Sequence, residues 1–198
     1  MNGIVWYHMK KIWLVAGLLF SVSAFAQTKK IELRSSVGYL SDAHIYTALD
    51  KSTYSFFGSL FSKDTKNYRL TDYGSFAQDL LISLNNPHFQ VTGAYVFERL
   101  KITDYSGEQE STYKRNMNTV LTGLHYNYVM RRNFSVYSGF EAGLRFNSYT
   151  GETDKTAITQ FAYQIVGGGI RYGSTFAGFT ELGFGAKGWI RTGISLAF

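Results

Sequence analysis

The chain has 198 residues, with 20 glycines, 15 tyrosines and 16 phenylalanines, a single proline, no cysteine and a formal net charge of +6. Without cysteine there are no disulfides and no thiolate metal sites, and so modest a positive excess, free of basic runs, gives no footing for nucleic acid. Aromatic- and glycine-rich, proline-poor sequence is the composition that many long strands require.

At the amino end, Met9-Lys-Lys11 precedes an apolar run from Ile12 to Phe20, followed by Ser21-Val-Ser-Ala24-Phe-Ala26 before Gln27. A short basic region, an apolar stretch and an A-x-A site form a secretory signal peptide. The run falls well short of the ~20 residues a membrane-spanning helix needs. Residues 1–26 are therefore expected to direct export through the Sec pathway. Residues 1–8 fit no part of that pattern, which makes Met9 the better start. No cysteine sits at the cleavage site, so lipoprotein anchoring is excluded. Cleavage after Ala26 leaves 172 residues, expected as one domain over 27–198, with 18 Lys and Arg against 14 Asp and Glu. None of it is apolar for 18 residues on end, so transmembrane helices are not expected.

Period-two alternation predicts eight strands. The first, about 31–40, sets Ile31, Leu33, Ser35, Val37 and Tyr39 against Glu32, Arg34, Ser36 and Gly38. A long connection, 41–67, follows. The second, about 70–84, has Leu80, Ile82 and Leu84 outward and Ala77, Asp79, Leu81 and Ser83 inward, with Gln78 a polar interruption outside. Asn85-Asn86-Pro87 is turn chemistry. The third, about 88–102, puts Phe89, Val91, Tyr95 and Phe97 out and Gln90, Thr92, Ala94 and Glu98 in.

A polar segment at 103–112 leads to the fourth strand, ending near 130, in which Val120, Leu124, Tyr126 and Tyr128 alternate with Thr119, Leu121, His125 and Asn127. Arg131-Arg132-Asn133 is the next turn. The fifth strand has Phe134, Val136, Phe140, Leu144 and Phe146 on one face, interrupted by Ser138, and Tyr137, Glu141 and Arg145 on the other. Polar residues 148–156 precede the sixth, about 157–171, whose phase is ambiguous at Gly167-Gly168-Gly169. After Gly173-Ser174 comes the seventh, about 175–185. The eighth has Ile190, Thr192, Ile194, Leu196 and Phe198 on one face and Arg191, Gly193, Ser195 and Ala197 on the other.

Alternating segments of this length suit a bilayer at a barrel's tilt. The expected fold is all-β: an eight-stranded antiparallel up-and-down transmembrane β-barrel. Short turns would lie on the side of the termini and longer loops on the opposite side.

Across 27–198 the chain resembles the small outer-membrane β-barrel family common in the Bacteroidota. The residues that carry the resemblance are Val37-Gly-Tyr39, Tyr137-Ser-Gly139 through Gly143, and Gly178-Phe-Thr-Glu-Leu-Gly-Phe184. The end of the chain is similar to the β-signal by which such barrels are recognised for insertion, with Gly193, Leu196 and Phe198 in the signal positions. The resemblance implies a monomer without a soluble carboxy-terminal domain, in the outer membrane of a Gram-negative bacterium. Its partners would be outer-membrane lipid and lipopolysaccharide, with periplasmic chaperones and the barrel-assembly machinery during biogenesis.

The inward faces collect Glu32, Asp79, Glu98, Glu141 and Glu181 with Arg34, Arg145, Arg171 and Arg191. An eight-stranded interior is just wide enough to be filled by side chains, so these charges form either a structural plug or a gate for ions and small solutes. Aromatics at strand ends (Tyr39, Tyr95, Tyr126, Tyr128, Tyr172 and Trp189) read as interfacial girdles. In the first long connection, Tyr54, Phe56, Phe57, Leu60 and Phe61 form an apolar patch that either caps the barrel or binds a surface ligand.

His44, beside Ser41 and Asp42, and inward His125, near Glu98 or Glu141, are the candidates for lipid A chemistry, but neither lies in a recognisable nucleophile motif. The expected role is a non-enzymatic structural or surface protein with adhesion or ligand binding through its loops. It would need no cofactor and no metal. A narrow pore, a lipid A-modifying enzyme and a soluble lipocalin-like binder are the alternatives.

Overall fold

A computed structural model describes residues 31–45, 68–104, 111–150 and 157–198. The strands are β1 (Ile31–Tyr39), β2 (Tyr68–Ser83), β3 (Phe89–Asp104), β4 (Ser111–Arg131), β5 (Phe134–Thr150), β6 (Ala157–Gly173), β7 (Phe176–Gly185) and β8 (Ile190–Ala197). Each pairs antiparallel with the next, and β8 returns to β1, closing the barrel. Along the height that all eight strands share, closure leaves no unpaired edge, while β2 and β6 extend above it past the ends of their shorter neighbours β1 and β7. The seam runs from Glu32 opposite Ala197 to Tyr39 opposite Ile190, and Phe198 donates its backbone N–H to the Ile31 carbonyl at 2.8 Å.

The wall is uneven in height. β2 to β6 have 16 to 21 residues, while β7, β8 and β1 have 10, 8 and 9. At a strand rise of about 3.3 Å and a barrel's tilt, the tall strands reach roughly 40–50 Å along the axis and the short ones roughly 20–25 Å. The polar segments expected as loops at 103–112 and 148–156 are in part this extra height. β3 continues to Asp104, β4 begins at Ser111 and β5 continues to Thr150. Polar residues on both faces conceal a strand from any search for alternation.

The ambiguous phase of the sixth strand is resolved by a bulge. The β6–β7 register shifts between Val166 and Gly168. Ala162, Gln164 and Val166 are therefore buried on one side of it, and Gly169 and Arg171 on the other. One extra residue moves the inward set from even to odd positions. Similar shifts occur between Asp72 and Ser75 in β2 and between Asn127 and Val129 in β4.

The first residues after β1 and the whole β7–β8 turn fold into the barrel. After β1, Leu40 adopts a left-handed backbone (φ 58°), and the chain turns inward into a helical turn at 42–45. Ser41 caps it, its Oγ accepting the His44 N–H at 3.1 Å while its carbonyl accepts the Ile45 N–H. Ala43 packs on Leu100 and Met117 of the tall wall. Between β7 and β8, the turn Ala186–Gly188 is buried. It hangs on Tyr163 and Tyr39, whose carbonyls accept the Ala186 and Trp189 N–H groups. Gly38 makes the room: a Cβ there would lie 1.7 Å from the Lys187 carbonyl oxygen.

Candidate functional site

The barrel interior is an ion-paired chain of side chains contributed by β1, β2, β4, β5, β6, β7, β8 and the buried turn. It begins at the short-turn end, where Arg171 Nε bonds Glu32 Oε1 at 3.1 Å and Ser195 Oγ at 2.9 Å. The rest of that guanidinium holds the β6–β7 turn through the carbonyls of Gly173 and Ser174. Glu32 also accepts Arg34 Nε at 2.8 Å. Arg34 Nη1 reaches Tyr137 Oη at 2.8 Å and Glu181 at 3.1 Å, and the Tyr137 hydroxyl donates to the same carboxylate at 2.8 Å. Arg191 then bonds Glu181 Oε2 at 2.8 Å, Ser36 Oγ at 2.6 Å and Asp79.

Lys187 continues the chain, with its Nζ 2.9 Å from Asp79 Oδ1 and 2.5 Å from Glu141 Oε2. His125 Nε2 ends it, 3.0 Å from Glu141 Oε1. Charges thus alternate from Arg171 through Glu32, Arg34, Glu181, Arg191, Asp79 and Lys187 to Glu141. Burial of an isolated charge is prohibitive, and pairing with further hydrogen bonds is what makes it tolerable. The aromatic ring of Phe179 lies between two of the cations, 5.0 Å from Arg34 Cζ and 5.1 Å from Arg191 Cζ. Tyr137 is flanked by Arg34 at 4.6 Å and by the stacked His125 ring at 5.6 Å. These contacts favour cations on the ring faces.

Nearer the long-connection end, Ser41 donates to Glu98, and Arg145 Nη2 bonds Asp42 at 2.5 Å. The helical turn is thereby fastened to β3 and β5. Beyond it, Arg115 bonds Asn147 Oδ1 at 2.8 Å, and Asn147 bonds Gln160. At the opposite mouth a vestibule of about 120 Å³ is bordered by Arg34, Glu32, Arg171, Arg131 and Arg132.

All nine residues expected on the inward faces are buried there: Glu32, Arg34, Asp79, Glu98, Glu141, Arg145, Arg171, Glu181 and Arg191. Sequence reasoning missed two charged members. Lys187 has no exposed surface, yet Gly185-Ala-Lys-Gly188 reads as a solvated turn. The two glycines that flank it are the one signal the sequence offers, and the structure gives them φ of 138° and 98°. Asp42 falls in a connection, where Ser41-Asp42 carries the signature of a helix N-cap.

The two histidine candidates separate. His125 meets Glu141, not Glu98, and is 1 % exposed, so a lipid substrate has no approach to it. Ser41 contacts His44 through the backbone N–H while its hydroxyl serves Glu98, which is not a nucleophile–base pair. Gly193 lies opposite Ser36 and Leu196 opposite Leu33 in the closing seam. The patch Tyr54, Phe56, Phe57, Leu60 and Phe61 lies outside the described residues.

Comparison with protein-family models, curated proteins and solved structures returned no match.

The outer face is the inverse of the interior. Phe140, Leu144, Phe146, Val120, Leu124, Phe161, Ile165, Leu182 and Ile194 are each 46 to 69 % exposed. The polar residues that interrupt this surface are hydrogen-bonded within it. Ser35 Oγ donates to Gln78 Oε1 at 2.9 Å. Ser138 meets the Tyr128 hydroxyl at 2.7 Å, and Thr180 meets Thr192 at 3.3 Å. Thr122 donates to the Thr92 carbonyl and the Tyr95 hydroxyl to Asn118 Oδ1. Water would satisfy exposed hydroxyls without such pairing. Tyr95 lies within β3 and not at its end, but only two residues below Phe97, where the apolar surface stops.

Proposed function

We propose that the chain is an outer-membrane β-barrel of a Gram-negative bacterium, of the small Bacteroidota type. Its interior is a fixed plug, and its work is done at its surface as a non-enzymatic envelope protein that binds or adheres through its long connections. The observation that carries this is the inversion of sidedness. Eleven described Asp, Glu, Lys and Arg side chains are buried inside while large apolar side chains cover the outside, the reverse of a water-soluble protein. From Phe134 to Phe146 the apolar surface of β5 is roughly 30 Å tall at a barrel's tilt, close to a hydrocarbon core. Internal hydrogen bonding of the outward hydroxyls supports the same reading, because lipid offers them no partner.

The interior favours a plug over a pore. Arg34, Tyr137, Glu181 and Arg191 interlock across the lumen and are all at most 2 % exposed. Breaking any link strands a buried charge, which costs about 3–5 kcal/mol. In envelope terms the partners are outer-membrane lipid and lipopolysaccharide, with chaperones and the assembly machinery beforehand.

Refolding in detergent micelles tests the proposal. The unboiled protein is expected to migrate differently from the boiled protein in electrophoresis, and planar bilayers containing it should show no steady conductance. A monodisperse protein in detergent-free buffer without a mobility shift would overturn the membrane reading. Open-channel current from a folded barrel would replace the plug with a pore.

A further inference from the structure

On the outer wall, just above the apolar surface, Phe97, Arg99, Lys101 and Lys114 line a recess of about 410 Å³. Three observations make it unlike ordinary solvated wall. Lys101 and Lys114 are register partners on β3 and β4, and both project outward. Like charges directly opposite one another on neighbouring strands repel, so the pair is disfavoured unless an anion lies between them. Arg99 is two register pairs lower, opposite Asn116, and its Nε donates to Asn116 Oδ1 at 2.8 Å. That bond orients the guanidinium and leaves its terminal N–H groups available for a bidentate contact. Among the residues whose side chains are described, no carboxylate is paired with any of the three cations.

Phe97 sets the depth. It is the last apolar residue on the outer face of β3, and the Arg99 guanidinium lies 5.8 Å from its ring. Within two residues, about 7 Å along the strand, the wall changes from aromatic to cationic. A ligand here would have an apolar part beside Phe97 and an anionic head between the three cations.

We infer that this recess is a binding site for the phosphate group of an anionic membrane lipid, held by Arg99, Lys101 and Lys114 with its acyl chains along Phe97. The inference rests on the membrane reading above. If the long connections face outward, as proposed, the lipid is that of the outer leaflet, a phosphorylated glycolipid.

Native mass spectrometry of the full-length chain refolded in micelles, with bisphosphorylated lipid A added, reads the site directly. R99Q/K101Q/K114Q should lower lipid retention by on the order of tenfold or more, given three charge-assisted contacts. The charge-keeping K101R/K114R should retain it, and R131Q/R132Q at the far turn should not change it. Fully dephosphorylated lipid A should bind the parent protein as weakly as lipid A binds the triple variant. Equal retention by the parent and the triple variant, both with an intact mobility shift, would overturn the site and leave the membrane reading standing. Displacement by millimolar inorganic phosphate would make it a free-anion site and overturn the lipid. Absence of the mobility shift in the parent would remove the membrane reading itself.

Discussion

Lys187 Nζ is enclosed by Asp79 and Glu141 and has no exposed surface, so its charge does work no neutral side chain can. Lys187→Met keeps most of the volume but leaves two carboxylates facing one another. The expected loss is about 3–5 kcal/mol in a urea unfolding series of the refolded barrel. Adding Glu141→Gln removes one of the stranded charges and should restore more than half of that loss. If the double variant were no more stable than the single one, packing and not charge would be the role of Lys187. Sequence alone placed Asp79 and Glu141 on the inward face but not their shared partner, because period two identifies strand residues and is silent about turns. His125 and Tyr137 were legible as inward residues, whereas their pairing depended on register across the barrel.

At the scale of elements, the glycines of β1 and β3 separate two demands that look alike in sequence. Gly38 stands against the buried turn, and its absent Cβ is the space occupied by the Lys187 carbonyl. That carbonyl is fixed by Ser75 Oγ at 2.8 Å and has nowhere to retreat. Gly93 faces outward with nothing within 4 Å of where its Cβ would be. Gly38→Ala should therefore destabilise by about 1–3 kcal/mol, the range of forced overpacking. Gly93→Ala should be neutral or slightly stabilising through the unfolded chain. Thermal mobility-shift curves of the two variants compare them side by side. The strands themselves were legible because alternation is strong wherever one face is apolar. Their upper extensions in β3, β4 and β5 were not, since above the apolar surface both faces turn polar. The bulge in β6 was visible only as a break in phase at three successive glycines.

For the whole molecule, the apolar outer surface has a middle and an edge, and charge should be tolerated differently at each. Phe140 is central on β5, 53 % exposed, whereas Ser148 lies above Phe146 at the edge. Phe140→Arg is expected to cost about 2–4 kcal/mol when the protein is refolded into lipid vesicles, and Ser148→Arg about 0–1 kcal/mol. Equal, small costs at both positions would mean water and not lipid surrounds the wall. The closing seam between β1 and β8 carries a consequence of timing. Arg34 comes from one side of it and Arg191 from the other, and besides Glu32 on β1 their carboxylates come from β2 and β7. Contacts so remote in sequence form slowly, and until the last strand docks these charges face an open sheet with half their partners missing. Synthesis supplies the anchors first and the latch last. Until that strand docks the chain must be kept wet and unpaired, and its stability arrives all at once.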